Sequence, residues 1–294
     1  MSFLPDGALD HLREVAETPD FSGTRYGLES EIGRGGMGVV YRAWDSQLER
    51  PVAIKVMNAG AVVKEEAKLL ARVEHPGIAP VYDAGTLPDG RSYYAMRLIR
   101  GQRLDRYLRQ EPSLPARLRV FDKICEAVAF AHSQGVVHCD LKPQNVLVGD
   151  YGEVFVVDWG IARHMEGADR APAGTPPYMA PEQSETARGP IDRRTDVFAL
   201  GRLLLDLMPP AAPRPLAAIA AKASQSDPAA RFADVASLAA DVNRFLDGQP
   251  VSAYRDSTLE RLARFWRQNQ VLLLLLTAYL VVKVILFLAA PALK

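Results

Sequence analysis

The hydrophobic pattern changes its period once, near Gly101, and this change limits the chain to two unlike halves. Before it, the runs at 26–32, 39–44, 51–57, 79–83 and 93–99 are rich in β-branched and aromatic residues. Turn formers separate them, which predicts a small, mostly antiparallel sheet. One helix is predicted inside this half, over 63–73. After Gly101, Leu118, Phe121, Ile124, Cys125, Val128 and Ala129 recur at a spacing near 3.6, which predicts a helix over 114–133. Gly135 stands where a C-cap is wanted.

Composition adds mainly exclusions. The 294 residues are 48% hydrophobic and 24% charged, which argues against wholesale disorder. Net charge is zero, so no global basic field calls for nucleic acid as a partner. Cys125 and Cys139 are the two cysteines and have no CxxC spacing, which points to a reducing compartment without disulfides or a zinc site. The first ten residues carry acids and no basic-then-apolar run, so no cleaved signal peptide is expected there.

The chemistry concentrates in the octapeptide 138–145, which holds Asp140, Lys142 and Asn145. A carboxylate can accept a hydroxyl proton, an ammonium can hold a phosphate, and an amide oxygen can ligate Mg²⁺. Those three groups suit phosphoryl transfer, where positioning and charge neutralisation do most of the work. Upstream, Gly33, Gly35 and Gly38 form a GxGxxG that also marks dinucleotide-binding folds. In such folds the glycines open a helix; here Val39, Val40 and Tyr41 follow them and favour a second strand instead. A glycine-rich hairpin of this kind brings backbone N–H groups close over phosphates.

Between Tyr26 and Leu246 the chain resembles the Hanks-type (eukaryotic-like) bacterial serine/threonine protein kinases, with the motifs in the family's order. They are Gly33, Gly35 and Gly38; Val52-Ala53-Ile54-Lys55; Glu66 of helix C, with Glu65 as the competing register; and His138 to Asn145. Asp158-Trp159-Gly160, Ala180-Pro181-Glu182, the helix opening at Thr195-Asp196 and Arg231 complete the set. The resemblance implies an α+β, bilobal protein-kinase fold with a small antiparallel β lobe (26–98) and a larger helical lobe (99–247). It also implies ATP with Mg²⁺, or Mn²⁺ in its place, as cofactors and a protein Ser/Thr hydroxyl as acceptor.

Roles follow residue by residue as what the resemblance implies. Lys55 holds the α- and β-phosphates and Glu66 fixes its rotamer. Asn145 and Asp158 ligate the metal, Asp140 orients and deprotonates the hydroxyl, and Lys142 neutralises the γ-phosphate. Ile32 and Val40 flank the glycine loop, Ala53 and Leu147 sandwich the adenine, Met96 borders its pocket and 97–99 form the hinge. A pseudokinase scaffold is the first rival, disfavoured because all these residues are present. A small-molecule phosphotransferase is the second, disfavoured by Lys142 and Glu182.

Three departures from the family pattern carry expectations. Cys139 stands where the catalytic loop usually has arginine, and residues 160–174 contain no Ser, Thr or Tyr. Activity is therefore expected not to depend on activation-loop phosphorylation, with Thr175 serving as a structural contact to Asp140 or Lys142. Trp159 replaces phenylalanine, and its indole N–H wants a partner if buried. The proline-rich link at 209–215 leaves no room for a helix that relatives often carry there.

Residues 1–25 are expected to be an N-terminal extension and 248–270 a juxtamembrane segment. Fourteen of the twenty residues from Val271 to Ala290 are Leu, Ile, Val or Phe. At about −0.3 to −0.6 kcal/mol each, they outweigh the roughly +3 kcal/mol expected for Lys283. A single transmembrane helix over 271–290 is expected, with a buried core helix as the alternative. Arg255, Arg261, Arg264 and Arg267 precede it, which places the kinase domain on the cytoplasmic face of the cytoplasmic membrane. Lys283 is expected to snorkel or to meet a membrane-protein partner, and the arginines to meet lipid headgroups.

Overall fold

The computed structural model describes residues 18–35, 38–57, 73–110, 113–159, 163–164, 174–184 and 190–289, without the side chains of 163, 164, 263, 267, 272 and 284–289. The predicted helix with Glu65 and Glu66, most of the N-terminal extension, Gly160 and most of the hydroxyl-free stretch lie outside these residues.

The described strands of the first half form one sheet. Strands β1 (Tyr26–Gly35), β2 (Gly38–Asp45), β3 (Arg50–Met57), β4 (Val81–Thr86) and β5 (Ser92–Arg97) pair antiparallel in the order β1-β2-β3-β5-β4. β3 is central, so its side chains from Val52 to Met57 are buried, Lys55 among them. A tight turn joins β2 to β3, as period-2 runs split by turn formers require. A small core of Tyr26, Ala43, Val52, Ile54, Val56, Tyr93 and Ala95 covers one face of the sheet.

The second half starts with a strand where a direct turn to helix was expected. β6 (Gly101–Arg103) pairs with β8 (Val146–Gly149), which pairs with β9 (Val154–Val156). Gly101 fits only as glycine: at φ 152° a Cβ would run into the Val148 carbonyl. Helices α1 (Leu104–Gln110), α2 (Leu114–Ser133), α3 (Arg193–Leu207), α4 (Arg214–Ala223) and α5 (Val235–Leu246) make the larger lobe. α2 has the expected bounds and buries Leu118, Phe121, Ile124, Cys125 and Val128. Each such large side chain taken from water is worth about 1.5–3 kcal/mol. Gly135 follows α2 at φ 78°, with its N–H on the His132 carbonyl, as a C-terminal glycine should. The proline-rich link carries no helix of its own: α3 ends at Leu207, and α4 begins at Arg214 with Pro215 in its first turn.

The two lobes share contacts. Ile78 bridges Val156, and the Val156 N–H donates to the Gly77 carbonyl at 2.8 Å. Two further helices close the chain, α6 (Thr258–Gln268) and α7 (Gln270–Ala289). Among the described residues no helix is long and apolar enough to cross a membrane, and on α7 the described side chains end at Lys283. Val271, Leu274, Leu275, Leu276, Tyr279, Leu280, Val281 and Val282 on α7 are each more than half exposed.

Candidate active site

The catalytic-loop octapeptide lies between β7 (Val136–Val137) and β8, and a buried carboxylate sets its shape. Asp196, in the first turn of α3 and fully buried, accepts the N–H groups of His138 at 2.8 Å and Cys139 at 2.9 Å. It also takes His132 Nε2 at 2.7 Å. Burial pushes its pKa up, but the His132 hydrogen bond and the nearby imidazoles outweigh that and hold it below the ordinary value. These bonds keep Cys139 at φ 66°, a left-handed conformation uncommon outside glycine. His138 donates from Nε2 to the Val157 carbonyl and accepts the Asp140 N–H at Nδ1, both at 3.2 Å. Only a neutral ring can do both. Burial lowers its pKa in agreement, against the opposing pull of Asp196.

Asp140, Lys142, Asn145 and Thr175 then close on one another. Lys142 Nζ donates to Asp140 Oδ2 at 2.6 Å and to Thr175 Oγ1 at 2.8 Å. Thr175 Oγ1 donates to Asp140 Oδ1 at 2.8 Å, so Thr175 meets both of the residues expected as alternative partners. Asn145 donates from Nδ2 to the Asp140 carbonyl at 2.9 Å and to Oδ2 at 3.3 Å. That leaves its amide oxygen as the atom able to ligate a cation.

Across the cleft, Lys55 Nζ meets Asp158 Oδ1 at 2.7 Å. The lysine side chain is 4% exposed and the aspartate 44%, so the carboxylate is the partner open to solvent. Burial pushes the Asp158 pKa up, but the Lys55 charge and hydrogen bond, with His138 and Lys142, bring it below the ordinary value. Asp158 sits at φ 62°, a second left-handed residue in the site. Trp159 is buried; its indole N–H donates to the Val156 carbonyl at 3.1 Å and its ring lies 4.5 Å from His138.

The glycine loop separates into two kinds of glycine. At Gly38, φ 154°, a Cβ would collide with the Val56 carbonyl, so the close approach of β3 to the start of β2 demands glycine. Among the described residues, a Cβ at Gly35 would meet nothing within 4 Å, and one at Gly33 would meet Val40 alone, at 4.0 Å. The missing side chains there leave room for another group above the hairpin. Ile32 is half exposed, Val40 lies opposite Lys55 in register, and Ala53 lies opposite Met96. Leu147 is half-buried on β8 opposite Phe155. Leu98 to Arg100 separate β5 from β6 without regular structure. Oxygen donors at Asn145 and Asp158 fit a hard cation such as Mg²⁺, and Lys55 with the open glycine loop fits phosphate groups.

Two contributors escaped the sequence reading. Gln183, 4% exposed, donates to the Cys139 carbonyl at 2.7 Å and accepts the Ala180 N–H at 2.9 Å, tying the segment after Thr175 to the catalytic loop. Its place directly after Ala-Pro-Glu was the only hint. Asp196 was seen as part of a helix start, but its carboxylate's reach to His138 and Cys139 had no local signal. Lower in the lobe, Glu182 and Arg231 pair as expected, through two bonds of 2.6 and 2.8 Å.

Residues 26–241 match the protein kinase domain family. The serine/threonine-protein kinase PknD of Chlamydia trachomatis is 32% identical over 326 aligned residues, covering 85% of this chain and 34% of that protein. PknD of Chlamydia muridarum gives the same identity and coverage. PknD of Protochlamydia amoebophila is 33% identical over 226 residues, covering 62% of this chain and 23% of its own length. The chain thus spans about a third of the length, or less, of these curated relatives. The ordered motifs, the bilobal fold and a match over more than two hundred residues agree, and the chain belongs to the protein kinase domain family, beside bacterial Hanks-type serine/threonine kinases.

Proposed function

We propose that this chain transfers the γ-phosphoryl group of ATP to serine or threonine hydroxyls of protein substrates, and that it does so without activation-loop phosphorylation. The observation that carries the reading is the Asp140–Lys142–Thr175 triangle. Asp140 Oδ1 already accepts a hydroxyl donor at 2.8 Å, while the Lys142 ammonium donates to Oδ2 of the same carboxylate and to that hydroxyl's oxygen. A substrate hydroxyl brought to the same carboxylate would be oriented for attack and would lose its proton there. Asn145 and Asp158 would hold Mg²⁺ and Lys55 the phosphates; the cation supplies neutralisation of the charge that develops on the transferred group. The Glu66 contact to Lys55 is part of this proposal, as are the adenine contacts of Ile32, Val40, Ala53, Met96 and Leu147.

Independence from phosphorylation is supported by how the activation segment is held. Thr175 and Gln183 tie it to Asp140, Lys142 and the Cys139 carbonyl through hydrogen bonds that need no phosphate. Cys139 is 4% exposed and offers no guanidinium to one.

The proposal includes a membrane anchor on α7, with the kinase domain on the cytoplasmic side. The sequence from Val271 to Ala290 supplies it: at about 1.5 Å per residue, twenty helical residues match a hydrocarbon core of about 30 Å. The exposed apolar side chains of α7 favour it over a buried core helix, since among the described ones only Leu273 is even half-buried. Lys283 Nζ lies 5.4 Å from the Tyr279 ring, a contact that would shelter its charge within the span.

Purified full chain incubated with labelled ATP and Mg²⁺ should phosphorylate a generic basic protein. Asp140→Asn should reduce the rate by about 10²–10⁴. Prior phosphatase treatment should leave the rate unchanged, with no phosphate found on Thr175. Full activity in Asp140→Asn would sink the catalytic assignment, and loss of activity with phosphatase would sink the independence from phosphorylation.

A further inference from the structure

α6 has two unlike faces. At about 100° per residue, Leu259, Leu262, Phe265 and Trp266 fall on one side, and Glu260, Arg261, Arg264 and Gln268 on the other. The apolar four are 78, 64, 55 and 58% exposed.

The polar side is the one tied to the rest of the protein. Ser257 caps the helix by accepting the Glu260 N–H, and Glu260 in turn accepts the Ser257 N–H at 2.8 Å. Glu260 also accepts the Tyr254 hydroxyl at 3.1 Å, Arg264 pairs with Asp256 at 2.9 Å, and Gln268 reaches the Gly248 carbonyl at 3.4 Å. The connecting segment is itself fixed to the larger lobe. Asp241 on α5, fully buried, accepts the N–H groups of Ser252 and Ala253 and the Ser252 hydroxyl, and Val251 is buried beside it. The lobe therefore holds α6 with its apolar face turned outward.

We infer that the apolar face of α6 is seated at the headgroup–acyl boundary of an anionic bilayer and sets how the larger lobe stands on the membrane. The inference rests on the anchor reading of α7. Three features select a lipid surface over a second copy of the chain. The face leads directly into the apolar run that starts at Val271, five residues after Trp266. It ends in Phe265 and Trp266, where a span meets its interface and aromatic side chains are favoured. Four arginines against two acids between Arg255 and Gln268 give that segment a positive balance suited to anionic headgroups, and Arg255 and Arg261 are exposed.

The test uses the full chain reconstituted in vesicles of equimolar phosphatidylcholine and phosphatidylglycerol, with and without lipids brominated near the headgroup end of the acyl chains. Trp266 emission is isolated as the difference between the parent and Trp266→Phe, since Trp44 and Trp159 remain in both. Brominated lipid should remove roughly half of that difference or more, and aqueous acrylamide should quench it little. Leu262→Glu should abolish the bromine quenching while the protein stays in the membrane after an alkaline carbonate wash. Carbonate-resistant protein whose Trp266 is untouched by bromine would overturn the inference and leave the anchor standing. If that Trp266 were also shielded from acrylamide, a protein contact would cover the face instead. Quenching unchanged by Leu262→Glu would also overturn the seating of this face. Release by carbonate would remove the anchor reading, and the inference with it.

Discussion

Two ion pairs in this molecule join a cation to a carboxylate at similar distances and do opposite work. Lys55–Asp158, at 2.7 Å, spans the cleft with its carboxylate 44% exposed. Arg231–Glu182, at 2.6 Å, lies inside the larger lobe with side chains 0 and 6% exposed. Arg231 uses all its donors. Two go to Glu182, and the others reach the carbonyls of Gln225, Arg194 and Ser226. Glu182 also accepts the Thr195 hydroxyl at 3.0 Å. Such a pair is fixed because removing either member strands the other charge in the interior. The cleft pair keeps its carboxylate side in solvent, and under the proposed function Asp158 would turn to a metal ion and Lys55 to a phosphate. The buried pair is scaffold, while the cleft pair is the one the proposed function assigns to the chemistry.

The largest effect that would break this contrast comes from the scaffold side. Glu182→Ala should destabilise the protein by about 3–5 kcal/mol, read from the urea midpoint, because a buried guanidinium is left unpaired. A loss below about 1 kcal/mol would mean that the pair behaves like a surface bridge. Next in size is Lys55→Met, which should lower phosphotransfer by about 10²–10³ with a thermal midpoint near the parent's. Unfolding comparable to Glu182→Ala would erase the distinction between the two pairs.

The smallest effect is the dependence on pH. His138 has a lowered pKa in the fold, so below its ordinary value of 6.5 the unfolded chain binds more protons than the folded one. Its contribution is complete above pH 6.5 and declines as pH falls; His75, lowered by burial, acts in the same sense. Asp158 and Asp196 are also lowered, from 3.8, so their contributions persist to more acid pH and are lost only below it. The thermal midpoint should therefore begin to fall near pH 6.5, before the carboxylates titrate. His138→Gln should flatten that first step, leaving the share of His75. A midpoint indifferent to pH from 7 down to about 4 would contradict the buried neutral imidazole.

Much of this was written in local pattern. The sheet follows from period-2 runs with turn formers between them, and α2 from apolar residues at helical spacing. Asp140, Lys142 and Asn145 lie within six residues of one another, and their closeness in space is almost a consequence of the chain. The strand β6 was missed because Gly101-Gln102-Arg103 has no strand composition; its pairing with β8 supplies what the residues lack. Gln183 was missed for a related reason. A neutral side chain beside a motif says nothing of the carbonyl forty-four positions earlier that it reaches.

The sequence by itself determined the family, the order of the chemical groups and the two apolar populations, one for the lobes and one for the C-terminal run. Periodicity and motif spacing are local properties, and they survive without knowledge of the fold. Only the tertiary structure decided how each carboxylate is held: the Asp158 side chain is 44% exposed, while those of Glu182 and Asp196 are enclosed by their partners. The difference comes from desolvation and partners, which depend on residues dozens of positions away. It also decided that α6 presents its polar face to the lobe and its apolar face outward. A helical wheel shows that the two faces differ, but only the contacts of Tyr254, Asp256 and Gly248 fix which one the protein keeps for itself.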